Sequence, residues 1–123
     1  MQLIWLRSDL RIEDNTALSA ACERGPTLAL WLLSPGQWQA HDDAACKVDF
    51  WLRNLRTLRQ SLEALNIPLL IRTIDTWDQA PQAVLDACRQ HRVEGVHWND
   101  EYGINEERRD QATRALLEQS AIQ

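Results

Sequence analysis

The stretch TLALWLL, residues 27–33, decides the fold: it carries no charge and places large apolar side chains at odd and even positions alike. A strand wetted on one face alternates apolar with polar residues. One that is apolar on both faces belongs inside a sheet covered by helices on both sides. Just upstream, RGP at 24–26 stops a helical segment that starts after Asp14 or Asn15, both good N-cap types, and runs to about residue 23. An apolar strand at 3–7 precedes that helix.

Downstream, SPGQWQAH (34–41) is a turn-rich loop leading into the longest helix, about 43–65. Its Ala44, Val48, Trp51, Leu55, Leu58, Leu62 and Leu65 recur in steps of three and four and form one inward stripe, with Arg53, Arg56 and Arg59 off it. Pro68 opens a third strand through about residue 71. A helix at 78–91 turns Ala80, Val84, Leu85 and Cys88 inward, a fourth strand spans 93–98, and Asn105 caps a last helix to about residue 119. Short apolar runs alternating with helical segments are the mark of βαβ units around a parallel sheet. The expected fold is one doubly wound, three-layer, Rossmann-like α/β domain over 1–123, without repeats or linkers. At SAIQ (120–123) the pattern calls for a fifth strand, so the chain reads as a fragment of a longer protein.

With 45% apolar and 25% charged residues the 123-residue chain has ordinary globular usage, which excludes disorder, collagen and coiled coil. Thirteen Lys and Arg against 18 Asp and Glu give a net charge of -5, the wrong sign for gripping a phosphate backbone unaided. Cys22, Cys46 and Cys88 lack metal-ligand spacing and read as buried thiols in a reducing compartment; no metal site is expected. No signal peptide and no apolar run near the ~20 residues of a membrane span is present, so a cytoplasmic location is expected.

Ligands of open parallel sheets bind beyond the carboxyl ends of the strands. That edge should hold 7–15, 34–41 and 99–106. Arg7, Asp9 and Arg11 alternate in sign where the first strand leaves the apolar interior; they form either a mutually neutralising set or a solvated loop. The four glycines make no GxGxxG or GxxxxGK[ST] loop, which disfavours dinucleotides and P-loop chemistry, and no GxSxG elbow or nucleophile set is present. No catalytic residue is therefore assigned. In NDEYGINEERRD (99–110), Glu106 and Glu107 suit the positive end of a helix dipole. Alternatively, a carboxylate there can accept two parallel hydrogen bonds from an amino-pyrimidine edge, with Asn105 beside it and His41 across the rim, stacking on or bonding to a flat ligand. Of six tryptophans, Trp5, Trp31, Trp51 and Trp98 sit at core positions, while Trp38 and Trp77 are freer.

WLRSDLRIEDN (5–15), ALWLLSPGQW (29–38), IPLLIR (67–72) and NDEYGINEERRD together resemble the N-terminal domain of DNA photolyases and cryptochromes. The first matches W-[FL]-R-x-D-L-R-x-x-D-N, a specific motif, and the resemblance spans essentially the whole chain. It implies a light-harvesting chromophore domain followed by a helical domain, absent here, that binds FAD and damaged DNA. Excitation would pass to reduced flavin, which splits cyclobutane pyrimidine dimers; the parent would be an enzyme and this fragment alone would repair nothing. The class holding methenyltetrahydrofolate uses a histidine after the second strand and an Asn-Glu pair opening the helix after the fourth, which His41, Asn105 and Glu106 match. Where many relatives carry an arginine at the next helix start, this chain reads DDAACKV (42–48), with Lys47 the nearest cation, which leaves a deazaflavin or an empty site as alternatives to folate. The resemblance also makes Arg7, Asp9, Arg11 and Asp14 a pairing and docking network toward the second domain. The implied partners are the chain's own C-terminal FAD-binding domain and, through it only, damaged DNA. The rival functions are a cryptochrome photoreceptor and a stand-alone nucleotide-binding or stress-type module.

Overall fold

A computed structural model describes residues 1–7, 15–33, 45–99, 104–120 and 122–123, and the side chains of all of these except 45–51 and 104–105. Strands β1 (Gln2–Leu6), β2 (Thr27–Leu33), β3 (Leu69–Thr73) and β4 (Gly95–His97) form one parallel sheet in the order β3-β2-β1-β4. Helices α1 (Thr16–Arg24), α2 (Ala45–Ala64), α3 (Ala80–His91) and α4 (Ile104–Gln119) cover it.

Strand residues point alternately to the two faces, and the core divides accordingly. Ile4, Leu6, Ala29 and Trp31 pack with Ala17 and Leu18 of α1 and with Leu55, Leu58 and Leu62 of α2. On the other face Leu3, Trp5, Leu28 and Leu30 pack with Val84, Leu85 and Cys88 of α3 and with Leu117 of α4. The three layers expected from the doubly apolar β2 are present. The chain steps outward from β1 to β3 and crosses back to β4, so the connections leave β1 toward opposite sides and the switch in direction lies between β1 and β4.

Several boundaries differ from expectation for identifiable reasons. Strand β1 ends at Leu6, leaving Arg7 as the first residue beyond it. Strand β3 runs past residue 71 because its pairing with β2 continues to Leu33 opposite Thr73. Strand β4 is only three residues long. A 3-10 turn at Trp77–Gln79 precedes α3, whose first turn accommodates Pro81. Leu65 is 53% exposed and leaves the inward stripe: α2 ends at Ala64, Asn66 turns left-handed (φ 61), and Ile67 is buried in its place. Cys22 is exposed because α1 buries Ala17, Leu18 and Ala21, so only Cys88 of the described thiols is interior. Ala44 and the side chains of Cys46, Lys47, Val48 and Trp51 lie outside the described residues. Gly25 (φ 148) closes α1 in a conformation that side-chain-bearing residues rarely adopt.

Gln123 N–H donates to the Glu94 carbonyl at 3.1 Å and the Gln123 carbonyl accepts from Val96 N–H at 3.0 Å. These are the two bonds that flank Gly95 in a parallel bridge, so one rung of the expected fifth pairing is present at β4.

Candidate functional site

Arg7, Trp98 and Asn99 follow the carboxyl ends of the neighbouring strands β1 and β4, at the switch point where doubly wound sheets bind ligands. In dinucleotide-binding members of this architecture a pyrophosphate sits on the N-terminus of the first helix. Here the chain's own amides occupy that place. Asn15 is the N-cap of α1, and its Oδ1 accepts from Leu18 N–H at 3.0 Å. Asn99 Oδ1 accepts from Ala17 N–H at 3.0 Å, and Asn99 Nδ2 donates to Asn15 Oδ1 at 2.8 Å. Two of the orphan donors of the helix are thus bonded from within, and Asn15 is 2% exposed. This agrees with the missing glycine loop: the usual phosphate cradle is closed.

Beside this cap lies a buried knot of charges and rings. Arg7 donates through Nη1 to Asp110 Oδ1 at 2.6 Å and through Nη2 to the Asn99 carbonyl, while Trp31 Nε1 donates to the Arg7 carbonyl at 3.1 Å. Arg109 Nε donates to the same Asp110 oxygen at 3.1 Å. The Arg7 guanidinium lies 4.8 Å from the Trp5 ring centroid and 5.8 Å from that of Trp98; the Arg109 guanidinium lies 4.4 Å from Trp77 and 5.2 Å from Trp5. Trp5 and Trp98 meet edge to face at 5.5 Å. The two cations share the Asp110 carboxylate, and aromatic faces pack against both guanidinium groups. Trp77, expected to be freer, is half-buried against Arg109. Arg7 is buried and paired within its own domain; Asp9, Arg11 and Asp14, expected to join it in a pairing and docking network, lie outside the described residues.

Of the three expected ligand contacts, Glu106 is half-buried in the first turn of α4, one turn before Asp110 and therefore on the same face of the helix. Among the described residues its carboxylate has no hydrogen-bond or ion-pair partner. Asn105 belongs to the first turn of α4, which begins at Ile104, so it is not the capping residue; its side chain lies outside the described residues, as does His41. Asn99, Arg109 and Asp110 were not singled out from the sequence. Two signals bore on them: Asn99, like Asn15, stands between a strand and a helix, and Asp110 follows Glu106 at the four-residue helical interval. Among the described residues no three His, Cys, Asp or Glu side chains come together as a metal-ligand group, and no helix is long and apolar enough to cross a membrane.

This parallel sheet, covered by helices and with its switch point between β1 and β4, is a doubly wound α/β domain. The chain belongs to the DNA photolyase family, whose model matches residues 2–123. It is 39% identical over 117 residues to deoxyribodipyrimidine photo-lyase of Salmonella typhimurium, a match covering 94% of this chain and 25% of that protein. Cryptochrome-1 of Arabidopsis thaliana is 30% identical over 122 residues, covering 98% of this chain and 17% of that one. Among solved structures, the archaeal photolyase from Sulfolobus tokodaii, described with two FAD molecules that imply a novel light-harvesting cofactor, is similar with a TM-score of 0.84 and 25% identity over all of this chain and 28% of that chain. The chain spans about a quarter of the length of the bacterial photo-lyases it matches.

Proposed function

We propose that this chain is the light-harvesting chromophore-binding domain of a deoxyribodipyrimidine photolyase, serving FAD held by a C-terminal domain in the repair of cyclobutane pyrimidine dimers. The observation that carries this reading is the 39% identity to a deoxyribodipyrimidine photo-lyase across 94% of the chain. When bound, reduced flavin supplies the electron that splits the dimer.

The work of this chain is to hold the antenna pigment. Glu106 would accept the paired N–H groups of an amino-pyrimidine edge, as in methenyltetrahydrofolate. The fit rests on a half-buried carboxylate without a partner among the described residues, in the first turn of α4. Asn105 and His41 would complete the contact by the family pattern. The closed N-terminus of α1 leaves pyrophosphate no seat at the switch point and so supports a pigment farther along the rim. With a net charge of -5, contact with damaged DNA would fall to the C-terminal domain, and the chain alone would be inactive, in a cytoplasmic protein.

The test uses the full-length protein on ultraviolet-irradiated DNA. Light-dependent loss of dimers is expected; persistent dimers with bound reduced flavin would instead favour the cryptochrome reading, which the 30% identity to Cryptochrome-1 supports. For the pigment site, Glu106→Ala should lower folate content while leaving flavin content and dark DNA binding intact. Unchanged folate content refutes the role of that carboxylate.

A further inference from the structure

We propose that Arg7 and Asp110 are positioning residues for the pigment-binding carboxylate: their ion pair fixes the first turns of α4 against the sheet and so sets where Glu106 presents its oxygens. The proposal rests on the reading of Glu106 given above and adds what holds that residue in place.

Helix α4 is unusual in what it buries. Its interior positions are Arg109, Asp110 and Thr113, and Leu117, well into the second half of the helix, is its only fully buried apolar side chain among the described residues. Apolar contacts constrain a helix by shape and tolerate small slides, whereas hydrogen bonds to a charged group are directional. Among the described residues the polar bond that ties the N-terminal half to the sheet is Arg7 to Asp110 at 2.6 Å, while Arg109 to Asp110 at 3.1 Å and the Thr113 hydroxyl to the Arg109 carbonyl at 2.8 Å order these side chains within the helix itself.

The far end of this linkage is rigid. Arg7 follows the central strand β1, its carbonyl is held by the Trp31 indole, and its second guanidinium arm is bonded to the Asn99 carbonyl after β4. Its planar fork thus ties two strand ends to one helix, a task for which the point charge of a lysine has no equivalent geometry. Asp110 and Glu106 are one helical turn apart, about 6 Å along the axis, so any movement of Asp110 is passed to Glu106 through a single turn of backbone. Recognition by two parallel hydrogen bonds tolerates displacements of only about 0.5 Å.

A double-mutant cycle on the full-length, pigment-depleted protein tests this, titrating methenyltetrahydrofolate and reading bound pigment by absorbance. In the native background Glu106→Gln should weaken binding by about tenfold or more; in an Arg7→Lys background, where Glu106 is already displaced, the same change should cost less than about threefold. Equal losses in both backgrounds, or native folate affinity in Arg7→Lys, overturn the positioning role. Should Glu106→Gln alone have no effect, the pigment-site reading fails, and with it this proposal. Flavin content and melting temperature report folding. If Arg7→Lys fails to retain flavin, Asp110→Asn, which keeps the side-chain shape, takes its place in the cycle with the same criteria.

Discussion

Arg7 and Asp110, 103 residues apart in the chain, form a 2.6 Å ion pair with side chains only 5% and 9% exposed. Removing one partner of such a pair strands the other in a medium of low polarizability, which typically costs about 3–5 kcal/mol. Asp110→Ala is therefore expected to destabilise the domain by roughly that amount, because it leaves both Arg7 and Arg109 without their shared acceptor. Urea denaturation measures it. A loss below about 1 kcal/mol would mean that the remaining contacts of the two cations, among them the Asn99 carbonyl and the faces of Trp5 and Trp77, suffice to hold them.

The double amide cap on α1 gives a second expectation. Asn15→Ala removes the acceptor of Leu18 N–H and should cost about 1 kcal/mol. Asn99→Ala frees Ala17 N–H and should cost about 1–3 kcal/mol. The two side chains are bonded to each other at 2.8 Å, so the pair of substitutions should not be additive. Denaturation of the two single variants and the double variant checks this; strict additivity would show that the two caps act independently.

How much of this was legible in the sequence depended on whether apolar patterning carried the information. Strand β2 was readable because a strand buried on both faces has no polar side, and α3 because Ala80, Val84, Leu85 and Cys88 form an ordinary inward stripe. The inner face of α4 was not, since Arg109 and Asp110 look like solvated charges until Arg7 is brought across the sheet to meet them. Leu65 was misjudged because a left-handed Asn66 interrupts the helical period, which no apolar count registers. The placement of Glu106 and Glu107 in the first turn of α4 was legible from helix-dipole chemistry. Asp110, a partner of Arg7 on the last helix, was not legible because nothing local in the sequence links positions 103 residues apart.

The cysteines should separate cleanly by reactivity. Burial pushes the Cys88 thiol up to about 12, whereas Cys22 is exposed on α1. At pH 8 the thiolate fraction of Cys88 is on the order of one in ten thousand, and the reagent has no access to it. Iodoacetamide should label Cys22 in the native protein within minutes and Cys88 only after denaturation, as read by peptide mass spectrometry. Rapid native labelling of Cys88 would reveal opening of α3 from the sheet.

His97 at the end of β4 should make stability depend on pH. Its Nε2 lies 2.9 Å from Gln2 Oε1, an oxygen that can only accept, so the ring donates from Nε2. Burial, with a smaller contribution from the Arg24 charge, lowers its pKa below the usual 6.5. The folded state therefore takes up its proton less readily than the unfolded one, and in the window between the folded value and 6.5 the unfolded chain holds more protons. Stability from this group is complete above pH 6.5 and is lost as the pH falls from there through the folded value. Denaturation midpoints measured from pH 7.5 down to 5 should fall, and His97→Gln should remove that part of the slope while carboxylates are still ionised. Gly95→Ala offers an independent check, since a Cβ there would press on Gln2 Oε1 and displace the acceptor. It should lower stability at pH 7.5 while leaving the slope in place, because burial and Arg24 rather than the Gln2 contact depress the pKa; a flattened slope would place the origin of the pH dependence in the Gln2–His97 contact.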